Sequence, residues 1–216
     1  MSALEWQVAG EVVMLLPQKA IYWPRTSTLI IADVHFGKAG TFRRLGVPVP
    51  HGTTTQNLQL IDELIAIYPS KHLIFLGDFL HAAGTSTSTL QSLLKWRQSH
   101  HQIAMTLVRG NHDLRAGDPP EMLNIQVVDE PYLVKPFAFC HYPDINSDSY
   151  VIAGHVHPAF RLSTRYEKLR LPCFLLGASR AILPSFGAFT GSYTITPATG
   201  EHVFVVANDS VIKIPV

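Results

Sequence analysis

Five times along this chain, a short run of apolar residues ends in side chains that can hold a metal. Leu29–Ala32 runs into Asp33 and His35, and Leu73–Leu76 into Asp78. Ala104–Val108 leads to Asn111 and His112, Phe137–Cys140 to His141, and Val151–Ala153 to His155 and His157 behind Gly154. In open α/β sheets, ligands collect outside the carboxyl ends of the strands, so these groups can converge although they are far apart in sequence. Glycines at 77, 110 and 154 stand where a tight turn or a close backbone approach would be needed.

The donor set constrains the chemistry. Asp, Asn and His without Cys form a nitrogen and oxygen set suited to Mn, Fe or Zn rather than to thiolate-selected metals. The set is too long for one tetrahedral ion. Two ions sharing one carboxylate, roughly 3.5–4 Å apart as in two-metal hydrolases, use it fully.

The chain has 216 residues, 47% hydrophobic and 15% charged, which predicts a single domain over 1–216 with a large core. Lys+Arg 17 against Asp+Glu 16 gives no global basic field for nucleic acid, although a local basic rim would not register in that total. Cys140 and Cys173 form neither a disulfide framework nor a CxxC site, and they fit a reducing compartment. The N-terminus lacks a basic segment ahead of an apolar stretch, and no apolar run approaches the roughly 18 residues of a membrane span. The expectation is a cytoplasmic protein with no membrane partner.

Periodicity places the motifs. Residues 6–23 read as two short strands, with Gly10 and Pro17-Gln18-Lys19 as punctuation, and residues 29–32 as a third. "KAGTFRRLGVPVPHGTTT" reads as loop and leads to a helix with Leu58, Ile61, Leu64, Ile65 and Tyr68 on one side. Strand 72–76 follows. Next comes a helix with Ser or Thr caps near 85–89 and Leu90, Leu93, Leu94 and Trp96 on its apolar side, then strand 103–108. This alternation implies parallel strands with right-handed crossovers. After Asp113 short β-like runs dominate, so the first half is mixed and the second β-rich.

The motifs DxH at Asp33–His35, GDxxH at Gly77–His81, GNHD at Gly110–Asp113, an isolated His141 and GHxH at Gly154–His157 together resemble the calcineurin-like binuclear metallophosphoesterases. The resemblance implies an α/β fold, a four-layer α-β-β-α sandwich of two mixed β-sheets flanked by helices. It implies two divalent ions, with Mn favoured and Fe or Zn as alternatives. Asp33, His35 and His157 would bind one ion, Asn111, His141 and His155 the other, and Asp78 would bridge them. His112 would contact the phosphate and assist the leaving oxygen, with Asp113 fixing its tautomer. A hydroxide activated between the ions would attack phosphorus in line.

Two further stretches, "FGKAGTFRRLGVPVPHGTT" and "RLPCFLLGASRAILPSFGAFTGSY", are similar to the ligase-associated DNA damage response endonucleases (PdeM-type). That likeness implies a manganese-dependent phosphodiesterase, a DNA endonuclease of bacterial repair encoded with a DNA ligase, an exonuclease and a helicase. DNA is then the expected substrate, and the ligase or helicase a possible partner. The alternative is a hydrolase of small phosphodiesters or phosphomonoesters such as nucleotides. A non-catalytic scaffold is disfavoured because His112 and every ligand are present. The oligomeric state stays open, a homodimer among the options.

Other residues carry weaker signals. His81 is either a partner orienting a ligand or a histidine at a helix start. His51, His72, His100, His101 and His202 match no motif and read as surface or core residues. Lys38, Arg43, Arg44, Arg115, Arg161, Arg165, Lys168 and Arg170 form either a basic rim along a DNA backbone or ordinary solvated loops.

Overall fold

The structure, a computed structural model, describes residues 2–49, 52–163 and 168–215; His51 and Arg165 lie outside them. The first sheet holds β1 (Leu4–Val8), β2 (Glu11–Leu16), β3 (Ala20–Trp23), β4 (Thr28–Ala32), β5 (His72–Leu76), β6 (Ala104–Val108) and β7 (Gln126–Val128), in that order. The pairs β1–β2, β2–β3 and β3–β4 are antiparallel, whereas β4, β5, β6 and β7 run parallel. The parallel core agrees with the alternation of strand and helix in the sequence.

The amino-terminal region departs from expectation, with three strands in place of two. Both turns reverse the chain: Ala9 and Gly10 have φ of 50° and 79°, and Lys19 has φ 63°. Consecutive left-handed residues match the twist of a tight hairpin, so Gly10 and Pro17-Gln18-Lys19 each separate a pair of strands. The segment expected as loop also holds helix α1 (Lys38–Arg44), and α2 (Thr53–Ile67) begins inside its Thr run. Tertiary packing outweighs the glycine here: Ala39 is buried and Phe42 lies edge-to-face on Phe189.

Helix α3 (Thr87–Ser99) opens with Ser86 accepting from the Thr89 N–H, as the cap signal predicts, and α4 (Asn111–Ala116) follows β6 directly. The second sheet comprises β8 (Tyr132–Val134), β9 (Phe137–Cys140), β10 (Tyr150–Ala153), β11 (Pro158–Ser163), β12 (Lys168–Leu176), β13 (Arg180–Ile182), β14 (Tyr193–Thr194), β15 (His202–Ala207) and β16 (Ser210–Ile214). It is mixed, with β9, β10 and β13 parallel and β12 and β15 antiparallel.

Period-two alternation explains the layering. In β4 and β5, Ile30, Ala32, Ile74 and Leu76 face a core between the sheets, where they meet Phe137, Phe139, Phe174 and Phe204. The intervening Leu29, Ile31, Leu73 and Phe75 face the other way, onto Leu58, Ile61 and Leu64 of α2 and Leu93 and Trp96 of α3. The two mixed sheets packed face to face, with helices outside, agree with the sandwich that the resemblance implies. Among the described residues both long helices cover the first sheet. The outer face of the second sheet is covered by strand and loop residues such as Phe160, Leu162, Ile195 and Ile145.

Candidate metal centre

All seven expected ligands reach one place. The carboxyl ends of β4, β5 and β6 deliver Asp33, His35, Asp78 and Asn111, and those of the parallel pair β9 and β10 bring His141, His155 and His157 from the opposite sheet. Asp33 Oδ1 lies 3.4 Å from His157 Nε2, and Asp78 Oδ2 lies 3.6 Å from His35 Nε2. Asp78 Oδ1 is 3.6 Å from His141 Nε2, which is 3.0 Å from both Asn111 Oδ1 and His155 Nδ1. Asp78 thus stands between the His35 side and the His141 side.

The backbone bends sharply to achieve this. Asp33, His35, Asp78, His155 and His157 all have positive φ, between 51° and 67°, a conformation that non-glycine residues adopt at a cost. The loops after β4 and β5 are stitched together by His35 N–H to Asp78 O and Phe36 N–H to Phe79 O, both 2.8 Å. Gly77, at φ 77°, has no room for a side chain: a Cβ there would overlap the His141 ring. A Cβ at Gly110 would overlap Asp78, and one at Gly154 would fall 2.6 Å from Asp33 Oδ2.

Each carboxylate is aimed by one backbone donor. The His155 N–H donates to Asp33 Oδ2 and the His112 N–H to Asp78 Oδ1, both at 2.9 Å. Backbone carbonyls aim three imidazoles. His141 Nδ1 lies 3.1 Å from Leu76 O, His157 Nδ1 3.1 Å from Gly191 O and His112 Nδ1 2.9 Å from His81 O. A carbonyl only accepts, so Nδ1 carries a proton in each ring and Nε2 is the nitrogen turned into the site.

Asp113 does not fix the His112 tautomer as expected from the sequence; the His81 carbonyl does. Its own buried carboxylate accepts from the N–H groups of Asp78 (2.7 Å), Phe79 (2.9 Å), Leu80 (3.4 Å) and Gly110 (2.9 Å), locking the β5 loop onto the start of α4. Burial pushes this carboxyl up to about 6 against those donors. His81 is not at a helix start. Its ring stacks on His112 (5.1 Å, 23°) and lies 5.5 Å from His35. Burial, with Lys38 and neighbouring imidazoles, lowers His35 to about 2 and His81 to about 4, so both rings are neutral at pH 7.

Metal ions fit these residues. Among the described residues, Asp33 Oδ1, His35 Nδ1 and His157 Nε2 are buried without a hydrogen-bond partner, a costly state unless a cation takes their lone pairs. Asp33, His35 and His157 form one group of converging donors and Asp33, Asp78 and His141 another.

Two contributors carry no sequence signal. Glu130 accepts from the N–H groups of His141 (2.7 Å) and Tyr142 (2.9 Å). Buried Asn57 donates to Val34 O (3.3 Å) and accepts from Ala188 N–H (3.0 Å), tying the first ligand loop to the carboxy-terminal region. Neither sits in a motif. His72, His100, His101 and His202 lie outside the cluster, as expected. Arg161 and Arg170 face each other across β11 and β12, and no helix among the described residues is long and apolar enough to cross a membrane.

The calcineurin-like phosphoesterase family matches residues 26–168, more than half of the chain. Among solved structures, the crystal structure of Pseudomonas putida nuclease MPE is 42% identical, covers 99% of this chain and 100% of its own, and superposes with a TM-score of 0.88. A protein of unknown function from Aquifex aeolicus, AQ665, matches 60% of this chain and 78% of its own at 19% identity and a TM-score of 0.41, too distant to carry an argument. No curated protein matches.

Proposed function

The chain belongs to the calcineurin-like phosphoesterases, and on that premise we propose that it is a two-metal phosphodiesterase that cuts DNA. The observation that carries the metal-dependent part is that Asp33, His35 and His157 each keep a buried atom without a hydrogen-bond partner and that these three residues bring ligand atoms within 4.8 Å of one another. The nucleic-acid part is supported by the full-length likeness to a nuclease.

In this reading Asp33, His35 and His157 would hold one ion, Asn111, His141 and His155 the other, and Asp78 would serve both. Bound divalent ions, with Mn favoured, would supply Lewis-acid polarisation of the phosphate and an activated water. The chain's own part is orientation and proton handling. The carbonyls of Leu76 and Gly191 hold the ligand imidazoles in the tautomer that presents Nε2. His112, held by the His81 carbonyl and stacked on the His81 ring, offers Nε2 to carry a proton to the departing oxygen. Asp113 positions that histidine through the backbone of α4. A place in DNA repair, with the ligase or helicase as partner, belongs to the same proposal, and failure to co-purify with either would remove it.

The test is hydrolysis of bis-p-nitrophenyl phosphate, p-nitrophenyl phosphate and closed circular DNA with added Mn, beside His112→Ala. Diester and DNA cleavage lost in the variant is the expected result. Monoester hydrolysis with untouched DNA would replace the nuclease with a small-molecule phosphatase.

A further inference from the structure

Beside the metal centre, helix α1 and residues 188–191 enclose a cleft of about 390 Å³, lined by Lys38, Phe42, Ala188, Phe189, Thr190 and Gly191. Its volume is in the range of small-ligand sites, roughly 300–1,000 Å³. We infer that this cleft holds the base of the nucleotide next to the scissile phosphate, stacked on the Phe42–Phe189 pair. The inference rests on the nuclease reading above.

Both walls are built into the centre. On one, the Lys38 N–H donates to His35 O (3.1 Å), and the Phe42 ring lies 6.0 Å from His81, the ring stacked on His112. On the other, Gly191 O holds the His157 imidazole, and the N–H groups of Gly187 and Ala188 are tied to Asp33 O and Asn57 Oδ1. The cleft is therefore set by the bonds that place the ligands, so an occupant meets a preformed surface.

Its chemistry suits a nucleobase. Phe42 and Phe189 pack edge-to-face (5.6 Å, 83°), both are only half-buried, and both line the cleft. Stacking of a base on such a ring contributes about 1–3 kcal/mol and tolerates any sequence. Apart from Lys38 and Thr190 the lining is apolar, so it offers little to discriminate one base from another. Lys38 stands between cleft and centre, close enough to Asp33 and Asp78 to feel both carboxylates, where it complements the phosphate joining base to scissile bond.

The test uses Phe189→Ala and Phe189→Leu, the latter keeping apolar bulk without a ring, on a Mn-loaded full-length protein. Substrates are single-stranded oligonucleotides with one cleavable phosphate, either intact or with an abasic residue on one side or the other of that phosphate. Mn content and thermal midpoint confirm that each variant is folded and loaded. The expected result is a rise in KM of about 5- to 150-fold for both variants on the intact strand, corresponding to the stacking energy above. One abasic substrate should erase the difference between wild type and variants. Equal KM for wild type and variants, or a penalty that survives abasic substitution on either side, would overturn the subsite and leave the nuclease reading standing. Wild type that hydrolyses methyl p-nitrophenyl phosphate but no oligonucleotide would overturn both.

Discussion

The first sheet has polar, histidine-rich groups at both ends of its parallel strands, and the two ends behave in opposite ways. At the amino ends of β5 and β6, His72 Nε2 pairs with Thr106 Oγ1 at 2.8 Å, and His100 and His101 turn Nδ1 to backbone carbonyls of their own helix. The buried Arg97 guanidinium donates to the carbonyls of Leu123 (2.8 Å), Asn124 (3.4 Å) and His100. At the carboxyl ends, Asp33, His35 and His157 keep buried donor atoms without partners among the described residues, on backbone held at positive φ. Histidine content alone therefore does not make a site. The difference is leftover bonding capacity, which one end spends within the chain and the other reserves for a ligand.

Substitutions at the two ends should separate them. The largest effect is expected from Asp78→Ala, which removes the carboxylate between His35 and His141: bound metal falls by elemental analysis and phosphodiester turnover drops to background. Asp78→Ala with metal content and turnover intact would break the assignment of the carboxyl end. His112→Ala should keep the metal and lower kcat by about 10²–10⁴-fold, the range for a general acid–base group. Glu130→Ala frees the backbone that positions His141, so Mn affinity measured by titration should weaken about 10- to 100-fold. At the opposite end, Arg97→Met strands three carbonyls. A loss on the order of 3 kcal/mol in urea unfolding, with kcat unchanged, is expected.

The smallest effect concerns pH. Burial holds His81 at about 4, below the unfolded value near 6.5, so the unfolded chain takes up protons first as pH falls. The contribution of His81 to stability is then complete above about pH 6.5 and declines between there and about 4. Asp113, raised to about 6, acts oppositely from about 4 to 6, so the total slope is not diagnostic. The comparison that isolates His81 is urea unfolding of metal-free wild type and His81→Gln at pH 7 and pH 5. Wild type should lose more stability between the two, and parallel losses would show that the ring is not held neutral by burial.

The layering of the molecule was legible in the chain because apolar runs and helical spacing are local. Leu29–Ala32 and Leu73–Leu76 are apolar at every position, so both faces of each strand must be covered, and the switch to Asp33 and Asp78 marks where each strand leaves the core. The donor types, nitrogen and oxygen without sulfur, are equally explicit. Tertiary structure decided what those donors face. His155 reaches Asp33 across 122 residues of sequence, a pairing set by two sheets closing on one core of phenylalanines. Backbone carbonyls choose the tautomers, and every residue type has a carbonyl, so the sequence holds no mark of which one a histidine will meet. For the same reason Asp113 proved to bind a loop rather than a ring. Helix α1 forms where a concentration of glycine, proline and threonine suggests a loop because Ala39 is buried and Phe42 meets Phe189 from a distant segment. Periodicity is written in neighbours; a hydrogen bond to a remote carbonyl is written only in the folded chain.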